Sequence, residues 1–258
     1  MKIHIYKYQG TGNDFVMIDG RDGITLSDEQ IVFLCNRNFG VGSDGLIILR
    51  NSVDYDFQME FYNPDGSEAT FCGNGARCIV KFAQKLNIID NECTFVAKDG
   101  KHSAQIIDDK VKLQMIDVEN IRAYDDLIYM NTGTHHSVVF VDNVDTVEIN
   151  ESAPKIRFDD RFAPDGTNVN FIQKYKTGIK VRTFEKGVEA ETLSCGTGVV
   201  ASALAFAIKN NISGRNISVY AKGGDLSVDF NKNINGFVNV FLTGMAKFVF
   251  DAYIELEN

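Results

Sequence analysis

Proline is scarce, at three residues in 258, and the five cysteines are too few and too irregularly spaced for a disulfide scaffold. No CxxC pair of the zinc-ribbon kind occurs, so Cys35, Cys72, Cys78, Cys93 and Cys195 are expected to be reduced thiols. Positive charge is also short. Twenty-six Lys and Arg stand against 35 Asp and Glu, a formal net charge of −9, which argues against a dedicated binder of nucleic-acid backbones. The most apolar stretch, Val199 to Ile208, falls well below the roughly 20 residues needed to span a membrane. The N-terminus shows no basic stretch leading into an apolar core and a small-residue cleavage site, so a cytoplasmic location is expected. What remains, 44% apolar and 11% aromatic, is the composition of an ordinary globular protein with room for one large domain or two smaller ones.

Short apolar or alternating runs bounded by Gly, Asn and Asp dominate: IHIYKY, DFVMID, GLIILR, FQMEFY, HSVVFVD, TNVNFI, IKVRTF, NISVYA, LSVDF and FVNVFL. These predict a β-rich protein. Helices are predicted at Ser27 to Cys35, Gly75 to Leu86 and Gly198 to Lys209. The last has almost no polar face, which places it inside a wrapped sheet rather than on a surface. The chain also echoes itself. DFQMEFYN, a turn and CGNGARC lead into one helix; IKVRTFE, a connection and CGTGVV lead into another, with Cys72 and Cys195 lying 123 residues apart. Two related halves follow, with a boundary near residues 115 to 120.

A cysteine just before a helix faces unpaired backbone N–H groups and the positive end of the helix dipole, which lowers its pKa from about 8.5. Glycines at 73, 75, 196 and 198 let the backbone turn sharply and approach a ligand, with amides able to hold a carboxylate. A lone CGxG is as readily a capped helix with a buried thiol. Two matched copies suit a stereoinversion at carbon, in which one group removes a proton from one face and another returns it to the opposite face. Glu185, after the second strand, and His135 and His136, at the start of another, are placed to tune a thiol by hydrogen bonding. Asn13, Asn63, Asn74, Asn168 and Asn170 gather at predicted turns, where asparagine is common anyway. A small zwitterion would use such neutral donors and acceptors.

At GTGNDF, NPDGSEATFCGNGARC, TGTHHSV and RTFEKGVEAETLSCGTG, and over nearly the whole chain, the sequence resembles the diaminopimelate epimerase family. The resemblance implies an α/β (α+β) fold of two pseudo-symmetric domains, each a rolled, mostly antiparallel sheet around a central helix, with the active site in the cleft between them. The halves would be residues 1–117, completed by a C-terminal strand at about 248–258, and 118–247. It implies a pyridoxal-phosphate-independent enzyme interconverting LL- and meso-diaminopimelate, with Cys72 and Cys195 as the acid/base pair and His136 and Glu185 adjusting their pKa values. Substrate contacts would fall to Asn13, Asn63, Gly73, Asn74, Thr134, Asn168, Glu185, Lys186, Gly196 and Thr197. No cofactor and no metal are expected; the expected partner is a small amino-acid substrate, with no nucleic acid and no membrane, and a homodimer is compatible with the sequence.

Three positions depart from the commonest family pattern. Gly133-Thr134-His135-His136 stands where many members have GNPH, so threonine replaces an asparagine contact. Lys186 stands where many have Arg, which keeps the charge and loses the bidentate fork. Gly45 replaces a Gln found in some members. These changes bear on recognition, so a proline- or hydroxyproline-type racemase on the same scaffold is one alternative, and a non-catalytic amino-acid-binding relative another. Gly10-Thr-Gly12 lacks the third glycine and following helix of a dinucleotide site, and no HExxH-like ligand cluster points to a metalloenzyme.

Overall fold

The computed structural model describes residues 1–214 and 216–256. The chain divides into two compact units, Met1–Leu113 with Gly244–Asn258, and Gln114–Thr243.

In the first unit, β1 (Lys2–Gly10) and β2 (Asn13–Asp19) form a hairpin turned at Thr11 and Gly12, both at positive φ. Beyond α1 (Asp28–Cys35), β3 (Gly45–Arg50) runs parallel to β2, and β4 (Phe57–Tyr62) antiparallel to β3. The short β5 (Glu68–Ala69) folds back on β4 and hands the chain to α2 (Gly73–Lys85). Next, β6 (Glu92–Ala97) lies parallel to β4, followed antiparallel by β7 (Gly100–Ile107) and β8 (Lys110–Gln114). The C-terminal strand Lys247–Glu255 pairs antiparallel with β1.

Up to Leu49 the run GLIILR is apolar because β3 is covered on both faces, as parallel strands usually are. Leu46 and Ile48 pack with Ile31 and Leu34 of α1, alongside Val16 and Ile18 of β2. Ile47 points the other way, toward α2. That helix packs against β1, β2, β3 and β4 and is buried at ten of its 13 residues.

The second unit opens with the short strands β9 (Val118–Glu119) and β10 (Arg122–Ala123). It continues through β11 (Ile128–Asn131), β12 (His135–Phe140), α3 (Ile149–Arg157), β13 (Asn168–Tyr175), β14 (Gly178–Glu185), β15 (Ala190–Thr192) and α4 (Gly196–Lys209). After α4 come β16 (Ile217–Ala221), β17 (Gly224–Lys232) and β18 (Gly236–Met245), and β19 is the C-terminal strand already described. Its pairings repeat those of the first unit in order and sense. β11–β12 is antiparallel, β12–β13 parallel, β13–β14 and β14–β15 antiparallel, β14–β16 parallel and β16–β17 antiparallel. Each unit is thus a mostly antiparallel sheet with two parallel pairings, rolled around a central helix. α4, buried at 11 of 14 residues, packs against β11 to β14, β16 and β17, as its apolar circumference predicts. On the outer face, Ile149 and Ala153 of α3 meet Val169, Phe171 and Phe184.

Both central helices begin two residues earlier than the periodicity indicates, because a Gly-rich first turn carries no apolar pattern. α3 is absent from the sequence expectation: Pro154 lies inside it, and proline reads as a helix breaker. The strands β6 to β8 are absent from the expected set as well; β6 and β8 bury only two or three side chains each, too few to stand out as an apolar run. α1 starts as its sequence indicates, with a reciprocal capping box in which Ser27 Oγ accepts from Gln30 N–H and Gln30 Oε1 accepts from Ser27 N–H. A Ser27→Ala substitution is expected to cost about 1 kcal/mol, read as a lowered urea midpoint at unchanged slope.

Candidate active site

In both units a β-hairpin, β4–β5 or β14–β15, delivers a cysteine to the N-cap of the central helix. Cys72 and Cys195 have extended backbones, at φ −138°, ψ 117° and φ −109°, ψ 115°, and neither caps its helix through the side chain. Each carbonyl accepts the first helical bond, from Ala76 N–H at 2.7 Å and Val199 N–H at 2.9 Å. The remaining amides of each first turn lack intrahelical acceptors and point, with the dipole, toward the space beside the thiol. The other three cysteines lie in the cores, where burial pushes their thiols up, that of Cys93 to about 12. They stay protonated at neutral pH.

Around Cys72 the first unit assembles Asn13 and Asn74. Asn13 Nδ2 donates to the Asp44 carboxylate at 2.8 Å, which turns its amide oxygen toward the helix. That oxygen accepts from Asn74 Nδ2 at 3.1 Å and from the Cys72 thiol at 3.6 Å. Arg37 bridges Asp44 and Asp14 at 2.7 Å each. Burial acts to raise the Asp14 carboxyl, but hydrogen bonds from Arg37 and Lys7 outweigh it and bring it down to about 2. Beneath the turn, the fully buried Arg77 donates to the Gly73 carbonyl, Thr11 Oγ1 and Asn74 Oδ1, with no carboxylate partner among the described residues. Asn63 lies at the β4–β5 turn, where its Nδ2 donates to Ser67 Oγ at 3.1 Å and its backbone N–H to the Ser67 carbonyl at 2.9 Å.

The second unit gathers Thr134, His136, Asn168, Cys195 and Thr197. His136 Nε2 lies 2.9 Å from Thr197 Oγ1 and 3.0 Å from Thr134 Oγ1, and Thr197 Oγ1 lies 3.4 Å from the Cys195 sulfur. Asn168 Nδ2 donates to the His135 carbonyl at 2.9 Å and to Thr134 at 3.3 Å, while its oxygen accepts Lys186 N–H at 2.8 Å. Lys186 therefore joins the cluster through its backbone; its side chain is exposed. Glu185 is half-buried at the end of β14, and His135 turns instead to the Tyr129 hydroxyl at 2.9 Å.

Sequence reasoning places Asn170 at a turn and passes over Thr183. Asn170 lies in strand β13 rather than at a turn, with Nδ2 3.0 Å from His136 Nδ1 and Oδ1 accepting from Thr183 Oγ1 at 2.9 Å. The usable signal was alternation, since 168 and 170 share a face of one strand and 183 is the cross-strand partner of 170.

Burial, with a smaller contribution from neighbouring His135, lowers the His136 pKa from 6.5 to about 3. The unfolded chain takes up a proton on this ring that the native chain refuses, so its contribution is complete above about 6.5 and is lost as pH falls toward 3. The expected slope is at most about 1.4 kcal/mol per pH unit. His136→Phe should flatten this part of the stability curve, measured by urea unfolding at a series of pH values; an unchanged slope would assign it to other groups.

The model of the diaminopimelate epimerase family matches residues 5–120 and 128–249. A protein of Flavobacterium psychrophilum named diaminopimelate epimerase is 46% identical over 254 residues, 97% of this chain and 99% of its own length. Its namesake in Aquifex aeolicus is 37% identical, covering 99% of both chains. Among solved structures, a phenazine biosynthesis protein of the PhzF family from Bacillus anthracis superposes with a TM-score of 0.79 at 15% identity, over 99% of this chain and 100% of its own. A hydroxyproline epimerase from Agrobacterium vitis gives 0.68 at 16%, over 100% and 93%. At such identities these two structures speak for the fold alone. The family match and the full-length relatives, together with a thiol at the N-cap of each central helix, show that the chain belongs to the diaminopimelate epimerase family.

Proposed function

We propose that this chain is a cofactor-independent amino-acid epimerase that interconverts LL- and meso-diaminopimelate, with Cys72 and Cys195 as its two acid/base groups. The observation that carries this reading is the duplicated turn: two thiols, each at the N-cap of a buried helix, in a chain of this family. Inverting one α-carbon of LL-diaminopimelate gives the meso form. A thiolate takes the α-proton from one face, the electron pair is held by the adjoining carboxylate as a planar enolate-like species, and a thiol returns a proton to the opposite face. A thiol titrates close enough to working pH to serve in either state. By microscopic reversibility, the roles exchange in the reverse reaction. The mechanism requires both thiols at one α-carbon.

Developing charge on the substrate carboxylate calls for donors aimed at it in advance. In this reading the first-turn amides at Gly73 and Asn74 and at Gly196 and Thr197 serve that purpose. Asn13, Asn63, Thr134 and Asn168 supply neutral donors and acceptors for the ammonium and carboxylate groups. Glu185 binds an ammonium, Lys186 binds a carboxylate, and His136 and Glu185 tune the thiols.

Metal-free protein incubated with LL-diaminopimelate in D2O is expected to form the meso isomer with deuterium at the inverted carbon. Cys72→Ala and Cys195→Ala should each abolish inversion, followed by chiral chromatography, while one-sided exchange seen by NMR can persist. Inversion at near wild-type rate in either variant overturns the two-thiol mechanism. Lys186→Ala should weaken substrate binding by about 1.5–3 kcal/mol, read as a raised KM; unchanged kinetics would make Lys186 a solvated side chain.

A further inference from the structure

The two units repeat the same strand pairings, yet the packing beneath their thiols differs in kind. The parallel registers match Phe15 with Gly45 in one unit and His136 with Asn168 in the other. Continuing them two residues, and across to the next strand, equates Ile47 with Asn170 and Phe61 with Thr183. The helix glycines confirm the match. A Cβ added at Gly75 would meet Ile47 Cδ1 at 2.7 Å, and one at Gly198 would meet Asn170 Oδ1 at 2.5 Å and His136 Cε1 at 3.2 Å. An apolar trio supports one turn and a buried polar trio the other. The fold tolerates hydrocarbon here, and buried polar groups are costly unless fully bonded, so the polar trio calls for a reason other than folding.

We infer that Asn170 and Thr183 are positioning residues for Cys195: they fix His136 in one tautomer, so that hydrogen-bond donors converge on the Thr197 oxygen and leave the Thr197 hydroxyl to donate to the Cys195 sulfur, holding it as a thiolate in the resting protein. This rests on the acid/base role proposed for Cys195.

The direction of the bonds around Asn170 follows from groups that can play only one role. The Ser137 carbonyl can only accept, so the amide edge of Asn170 that faces it at 3.3 Å is the NH2. Its second hydrogen goes to His136 Nδ1 at 3.0 Å, while its oxygen takes the Thr183 hydroxyl at 2.9 Å. With Nδ1 accepting and the ring neutral, the proton of His136 sits on Nε2, which faces Thr197 Oγ1 at 2.9 Å. A second chain arrives from the other side. Lys186 N–H fixes Asn168, Asn168 donates to Thr134, and with the one Nε2 hydrogen of His136 given to Thr197, the Thr134 hydroxyl hydrogen is assigned to Thr197 Oγ1 at 3.1 Å. Thr197 Oγ1 then accepts twice, which fills both lone pairs. The Thr197 hydroxyl hydrogen is then directed at the Cys195 sulfur across 3.4 Å, a contact that favours the thiolate because it is the stronger acceptor of the two protonation states. The titratable or charged groups within two residues of the members of these chains are His135 and His136 on β12, Arg182 and Glu185 on β14, Lys186 just after it, and Cys195 itself. Cys72 meets the opposite partner, the accepting oxygen of Asn13.

The test titrates the Cys195 thiolate by ultraviolet absorbance in a Cys72→Ala background, where burial keeps Cys35, Cys78 and Cys93 protonated, and reads the His136 tautomer by 15N NMR in a chain with only four histidines. His136 should be protonated at Nε2, and Cys195 should titrate below the free-thiol value of about 8.5. Thr197→Val should raise the Cys195 midpoint by about one to two pH units, and Thr197→Ser should leave it near the starting value. Asn170→Ile, which installs the residue of the other unit, should release the tautomer and raise the same midpoint. Protonation at Nδ1 in the parent protein, or an unmoved midpoint in folded Thr197→Val, overturns the proposal. None of these readings uses turnover. A protein that fails to epimerise diaminopimelate but shows them sinks the activity and leaves the hydrogen-bond chain intact.

Discussion

Everything in either unit depends on a helix buried along most of its length inside a rolled sheet. Such a helix satisfies its own backbone except at its ends, so its first turn must open toward groups that can use spare N–H donors. Placing a cysteine at that N-cap puts the thiol where partial positive charge is concentrated. The glycine three residues after the cysteine belongs to the same constraint. At both Gly75 and Gly198 the neighbouring strand comes so close that a methyl group would strike it. The CGxG signature is therefore a packing requirement as much as a chemical one.

Much of this was legible in the sequence, for identifiable reasons. The apolar circumference of Val199 to Ile208 foretold an enclosed helix, and the repeated strand-turn-CGxG order foretold duplicated units. Contacts that depend on register were not legible. Asn170 looks like a turn residue until β13 is paired with β14, when it stands opposite Thr183 and facing His136. Arg77 likewise reads as an ordinary helical arginine, although it lies fully buried under the Cys72 turn, tied to the Gly73 carbonyl and the Asn74 side chain. Hydrophobic pattern locates elements; it says nothing about which polar groups will meet across them.

Duplication supplies a structural pair, and the differences between the copies supply chemistry. A matched fold gives equivalent positions for two thiols, but an acid and a base must differ in protonation at any instant. In the second unit the difference is written in polar residues at places where the first has Phe15, Ile47 and Phe61. On the hydrogen-bond directions inferred above, an acceptor at Cys72 and a donor at Cys195 are small changes on a common frame that bias two otherwise similar sulfurs in opposite directions.

The antiparallel pairing of β1 with β19 also bears on how the chain folds as it is made. Residues 114–243 are contiguous, so the second unit has all of its strands before residue 247 has been synthesised. The first unit, begun earliest, leaves the edge of β1 without its neighbour until the last segment emerges. An unpaired edge is an invitation to intermolecular pairing. The order of synthesis and the order of completion are thus reversed, and the edge of the strand made first stays open until its neighbour is made.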